Sequence, residues 1–112
     1  MRHRVAVFIG TAVVAAAAVG LFGQDNRTIY GAGTNSCEHW TSARAGDAWL
    51  TSGQWILGFV SAANRYSKAP PTRTDSRSMA RWIDEYCRDH PTSDIADAAQ
   101  ELVELLVSGR TP

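Results

Sequence analysis

Residues 75–91, DSRSMARWIDEYCRDHP, decide the fold. Met79, Trp82, Ile83, Tyr86 and Cys87 fall at i, i+3, i+4, i+7 and i+8, a spacing that gathers side chains on one face of an α-helix and on no single face of a strand. Arg77, Arg81, Asp84, Glu85 and Arg88 populate the outer side, as a solvated face requires. Asp75 or Ser76 offers a side-chain oxygen to cap the first turn, and His90-Pro91 stops the helix, because the residue before proline is steered away from helical conformation. Cys87 is thereby predicted on the buried face.

Downstream, Thr92 or Ser93 caps a further helix beginning at Asp94, whose carboxylate suits the positive end of the helix dipole. Ile95, Ala98, Ala99, Leu102, Leu105 and Leu106 form its buried stripe, and Gly109 is its predicted stop. The link is so short that the two helices should pack antiparallel. Upstream, Ala69-Pro70-Pro71-Thr72 breaks any helix. Before it, Trp49 to Tyr66 places Trp49, Ile56, Phe59, Val60, Ala63 and Tyr66 near the helical repeat, while Trp55 and Leu57 widen the apolar surface and predict a central helix. A strand through Trp55 to Ser61 is the alternative, and it lacks alternation. Gly53 and Gly58 each cost about 1 kcal/mol relative to Ala in a helix, so close approach of a neighbouring helix is expected there. A short helix through Cys37, Trp40 and Ala43, capped by Asn35 or Ser36 and ended by Gly46, completes the set. The expectation is an all-α fold: a small four-helix bundle over residues 37–109, one helix short and three longer, after a flexible lead-in at 21–36.

The first two dozen residues have a different character. Arg2, His3 and Arg4 precede an uninterrupted apolar and small run from Val5 to Phe22, and small residues lie near its end. These are the parts of a secretory signal peptide, residues 1–20, with cleavage after Gly20 or after Ala18. An uncleaved membrane anchor is the competing reading, since about 18 apolar residues just suffice to cross a bilayer. Either reading places the remainder outside the cytoplasm, in the periplasm of a bacterium, and clear of the membrane once the leader is cleaved.

The chain has 112 residues, 45% of them apolar, with 11 basic groups against 11 acidic ones. That length bounds it to one domain, and the balanced charge removes the electrostatic support for nucleic-acid binding. Loss of Arg2 and Arg4 with the leader leaves a formal charge of −2, with His neutral. Protonating every carboxylate together with His39 and His90 would swing that to about +11, a load of like charge that favours expansion or dissociation.

Cys37 and Cys87 are the two cysteines. In an oxidising compartment they read as one disulfide, which on the chain-entropy model contributes roughly 4 kcal/mol. Cys37-x-His39 with Cys87-x-x-His90 is the sharper alternative, four ligands for zinc, although it lacks the usual paired cysteines. No nucleophile elbow, triad, zinc-peptidase spacing, phosphate loop or calcium loop is present, so neither an enzyme nor a cofactor is expected. Trp40, Trp49, Trp55 and Trp82 could line a ligand cavity; in a domain this small the plainer reading is core.

Cys37 opening the domain, Trp55 followed by Gly58, Trp82 with Tyr86-Cys87, Pro91, and the helix bearing Ile95, Ala98, Ala99 and Leu102 together resemble the small periplasmic acid-stress chaperones of the HdeA/HdeB family. The resemblance spans about residues 37–106. It implies a Cys37–Cys87 bridge, a homodimer near neutral pH, and an acid-triggered shift to loosened monomers that hold unfolding periplasmic proteins. The apolar residues it assigns to core and client binding are Trp55, Phe59, Val60, Trp82, Ile83, Leu102 and Leu106. Asp84, Glu85, Asp89, Asp94 and Asp97 would sense pH, with Arg81 and Arg88 losing their partners as the carboxylates protonate. The alternative from another class is a specific periplasmic binding partner, such as an immunity protein that neutralises a delivered toxin.

Overall fold

The computed structural model describes residues 28–68 and 71–112; the leader read at 1–20 lies outside them, as do Ala69 and Pro70 of the proline break. Four helices follow one another: α1 (Cys37–Ala43), α2 (Trp49–Tyr66), α3 (Ser76–Asp89) and α4 (Ile95–Val107), with a 3-10 turn at Gly31–Thr34 ahead of them. One is short and three are longer, and no strand occurs among the described residues, so the fold is the all-α one that the periodicity predicts.

Local chemistry sets the helix ends. Ser36 caps α1, its hydroxyl accepting the His39 N–H at 3.0 Å. Asp75 caps α3, accepting the Ser78 N–H at 2.8 Å. For α4 the cap is Asp94 itself, not Thr92 or Ser93: it accepts the Asp97 N–H at 2.8 Å, and the Asp97 carboxylate reaches back to the Asp94 N–H at 3.4 Å, a reciprocal capping box. α4 stops at Gly109, whose φ of 84° lies in the left-handed region; Arg110 N–H then bonds Leu105 O and Gly109 N–H bonds Leu106 O, both at 3.2 Å.

α2 is contacted from more than one side, by α4, the 3-10 turn and α1, as its broad apolar surface predicts; the helix buried most deeply is nevertheless α4. Only Ser52 and Ile56 of α2 are buried, whereas α4 buries Ile95, Ala96, Ala98, Ala99, Leu102 and Leu106. The reason is side-chain size: the small residues of α4 let α2, α3 and the 3-10 turn all approach it. α1 lies against α3, and the Cys37–Cys87 disulfide joins them with a Cα separation of 4.8 Å. An isolated antiparallel bridge between Ser36 and Asp94 sets the starts of α1 and α4 side by side, through Cys37 N–H to Ser93 O at 2.8 Å and Ile95 N–H to Asn35 O at 2.9 Å.

The region read as a flexible lead-in is corrected over residues 30–36, which are part of the packing. The Trp55 indole N–H donates to Tyr30 O at 2.8 Å, and Asn35 donates to the buried hydroxyl of Ser52 at 3.4 Å. Gly33 is buried under the Trp55 ring, where a Cβ would overlap the indole carbons. The absence of periodicity that suggested a loop reflects a turn too short to show any. The glycines of α2 do not serve the close helix approach expected of them. Nothing lies near Gly58, and a Cβ on Gly53 would meet the Trp49 ring of the same helix at 3.0 Å.

Candidate functional site

The end of α1 and the first halves of α2 and α3 enclose a half-open groove of about 430 Å³. Trp40, Ile56, Met79 and Ile83 belong to both the core and the groove, so its floor is the edge of the core itself. Trp49, Leu50, Leu57 and Ala80 extend the apolar walls, while Arg44, Gln54, Ser76 and Arg77 supply the polar rim. Concave apolar surface with a few polar groups at its edge is the usual form of a binding site for an organic ligand or a peptide segment.

Charge at the groove is organised by Arg44 and Asp84. Arg44 Nε and Nη2 donate to the two carboxylate oxygens of Asp84 at 2.8 and 2.9 Å, and the buried Trp40 indole N–H donates to the same carboxylate at 2.8 Å. The Arg44 guanidinium also lies over the Trp49 ring, 4.4 Å from its centroid. The hydrogen bonds that Arg44 donates to Asp84 hold the Arg44 pKa above its ordinary value. A single carboxylate therefore ties the end of α1 to the middle of α3. Both partners are 30% exposed, so protons and salt in the solvent can reach the pair.

The other residues singled out in the sequence are distributed as follows. Ile83, Leu102 and Leu106 are buried in the core, and of the three Ile83 also lies at the groove floor. Trp55, Phe59, Val60 and Trp82 are half-buried and packed against that core. Trp55 stacks on Phe59 at 5.4 Å, and Trp82, Tyr86 and His90 stack in series along α3 at 5.4 and 4.2 Å. Of the four tryptophans, Trp40 and Trp49 line the groove, whereas Trp55 and Trp82 do not.

Among the carboxylates, Asp84 holds the ion pair and Asp94 with Asp97 forms the capping box; Glu85 and Asp89 are exposed on the outer side of α3. Arg81 and Arg88 lie near carboxylates without forming a close ion pair among the described residues: after the Ser78 N–H, the charge of Arg81 helps lower the Asp75 pKa, and Arg88 shares a cleft with Asp84. Arg81 donates to the Ser78 hydroxyl at 3.3 Å, and Arg88 lines a shallow cleft with Thr41 beside the Arg44–Asp84 pair. With both sulfurs in the disulfide, the zinc alternative has lost its two thiolates.

Sequence reasoning missed Arg44 and Arg77 as groove residues. Arg44 lies 40 positions from its partner, and no local pattern connects them. Arg77 was read as ordinary solvated surface, which it also is. No group of three metal-ligating side chains converges among the described residues. Comparison with protein-family models, with curated proteins and with solved structures finds no match.

Proposed function

We propose that this chain is an exported, disulfide-bridged holding protein of the HdeA-like kind, folded near neutral pH and loosened by acid so that apolar helix faces receive unfolding client proteins. The observation that supports it is the Asp84 carboxylate, which joins α1 to α3 through Arg44 and Trp40 at the groove's edge. Without the Asp84 charge, Arg44 would be left as an unpaired positive group over the Trp49 ring at the groove's edge. Acid neutralises carboxylates across a protein, and the positive charge then left unopposed drives expansion.

The Cys37–Cys87 bridge limits that expansion, because α1 and α3 stay tethered when their other contacts loosen. The half-buried surfaces of Trp55, Phe59, Val60 and Trp82 would then extend the groove into a larger client surface. Near neutral pH a homodimer would cover part of the half-buried surface of Trp55, Phe59, Val60 and Trp82, none of which lines the groove. The test is light scattering of an unrelated aggregating enzyme with and without the chain, from about pH 7 to about pH 2. Protection confined to the acid side supports the reading. A stoichiometric nanomolar complex with one periplasmic protein and no general protection would replace it with the specific-partner reading.

A further inference from the structure

We infer that the groove between α2 and α3 is a site for a single-chain amphiphile with a carboxylate head, its alkyl chain lying on Trp40, Trp49, Ile56 and Met79 and its head at Arg77. The inference concerns the folded protein near neutral pH and does not depend on acid-triggered client holding.

Three observations carry it. The groove, about 430 Å³, falls in the range of sites that bury organic ligands, and its floor is apolar. Its rim is cationic: Arg44 and Arg77 line it and no carboxylate does. Arg44 is occupied by Asp84, whereas Arg77, exposed in the first turn of α3, has no ion pair among the described residues. The carboxylate nearest to it in sequence, Asp75, is engaged by the N–H and hydroxyl of Ser78. A guanidinium presents paired donors that match a carboxylate, so the free charge at the rim selects an anionic head over a cationic or neutral one.

Third, the wall is shaped at a cost. Gly53 stands inside α2, where glycine is worth about 1 kcal/mol less than alanine. A Cβ there would lie 3.0 and 3.1 Å from two Trp49 ring carbons, so glycine lets the indole lie along the helix as a flat side of the groove.

The test is titration of the bridged, purified chain with dodecanoate, dodecyltrimethylammonium and dodecanol below their micellar concentrations, followed by calorimetry and by the fluorescence of the groove tryptophans. One dodecanoate per chain, with the cationic amphiphile bound at least about tenfold more weakly, is the expected result. Arg77→Ala should weaken dodecanoate by about tenfold and leave dodecanol unchanged, since the charge-assisted bond is lost and the apolar contacts stay. Ala80→Phe should block all three ligands while circular dichroism confirms the fold. Equal affinity for both charged heads, an Arg77→Ala variant that binds as the parent, undiminished binding by Ala80→Phe, or no saturable binding at all would overturn the assignment.

Discussion

Arg44 and Asp84, 40 residues apart in the chain, form a two-pronged ion pair at 2.8 and 2.9 Å that fastens the end of the shortest helix to the middle of the most amphipathic one. The buried Trp40 indole N–H shares the same carboxylate. Such geometry places the pair above an ordinary surface salt bridge, and its exposure keeps it below a buried one.

Asp84→Asn imitates the protonated carboxyl at every pH. It should destabilise the chain by about 1–3 kcal/mol near neutral pH, because Arg44 keeps its charge and loses its partner. Urea unfolding at several pH values checks this.

Two glycine substitutions should have opposite signs. Gly33→Ala drives a methyl group into the Trp55 ring and should cost about 1–3 kcal/mol by overpacking. Gly58→Ala, in an exposed stretch of α2 with open space around it, should stabilise by up to about 1 kcal/mol. Thermal melts of both variants distinguish a packed 3-10 turn from a loose lead-in.

The contrast between these two positions shows where the sequence is legible. Periodicity marks α3 and α4 because each buries one stripe, and the caps at Ser36 and Asp75 follow from residue type at a helix start. A glycine inside a helix announces a cost without naming its cause: the close contact expected at Gly58 occurs at Gly33, in a turn of four residues with no period to read. Trp55 and Leu57 predict an α2 contacted from more than one side, and it is, by α4, the 3-10 turn and α1; breadth of apolar surface does not reveal that α4, with its small alanines, buries the larger share of its residues. The groove was legible only in its tryptophans. Its charged rim depends on a contact between elements far apart in the chain, which no local rule encodes.

Asp75 has a carboxyl pKa lowered chiefly by the Ser78 N–H that it accepts. A group held more acidic by folding contributes stability above its unfolded pKa, and that contribution disappears as the pH falls through the folded value. Asp75→Asn should keep a working cap while removing this share of the pH dependence, and Asp75→Ala should remove both. Unfolding midpoints near neutral pH and below the carboxylate range provide the comparison.

Removing the disulfide by Cys37→Ala with Cys87→Ala frees a loop of 50 residues and should cost roughly 4 kcal/mol. The loss is a large share of the stability of a domain this size. Urea unfolding of the double variant against the bridged parent measures it. If holding clients requires α1 and α3 to stay tethered while they loosen, the variant should also fail to protect a client in acid.

The most direct trial of the acid-holding proposal compares the parent with Asp84→Asn as aggregation suppressors, with helicity followed in the same samples from about pH 7 to about pH 2. The parent should protect an unrelated client only on the acid side, and the variant should begin to protect at a higher pH because its Arg44–Asp84 ion pair is already gone while the disulfide remains. A parent that keeps its full helical packing at the acid end and suppresses no aggregation would contradict the proposal.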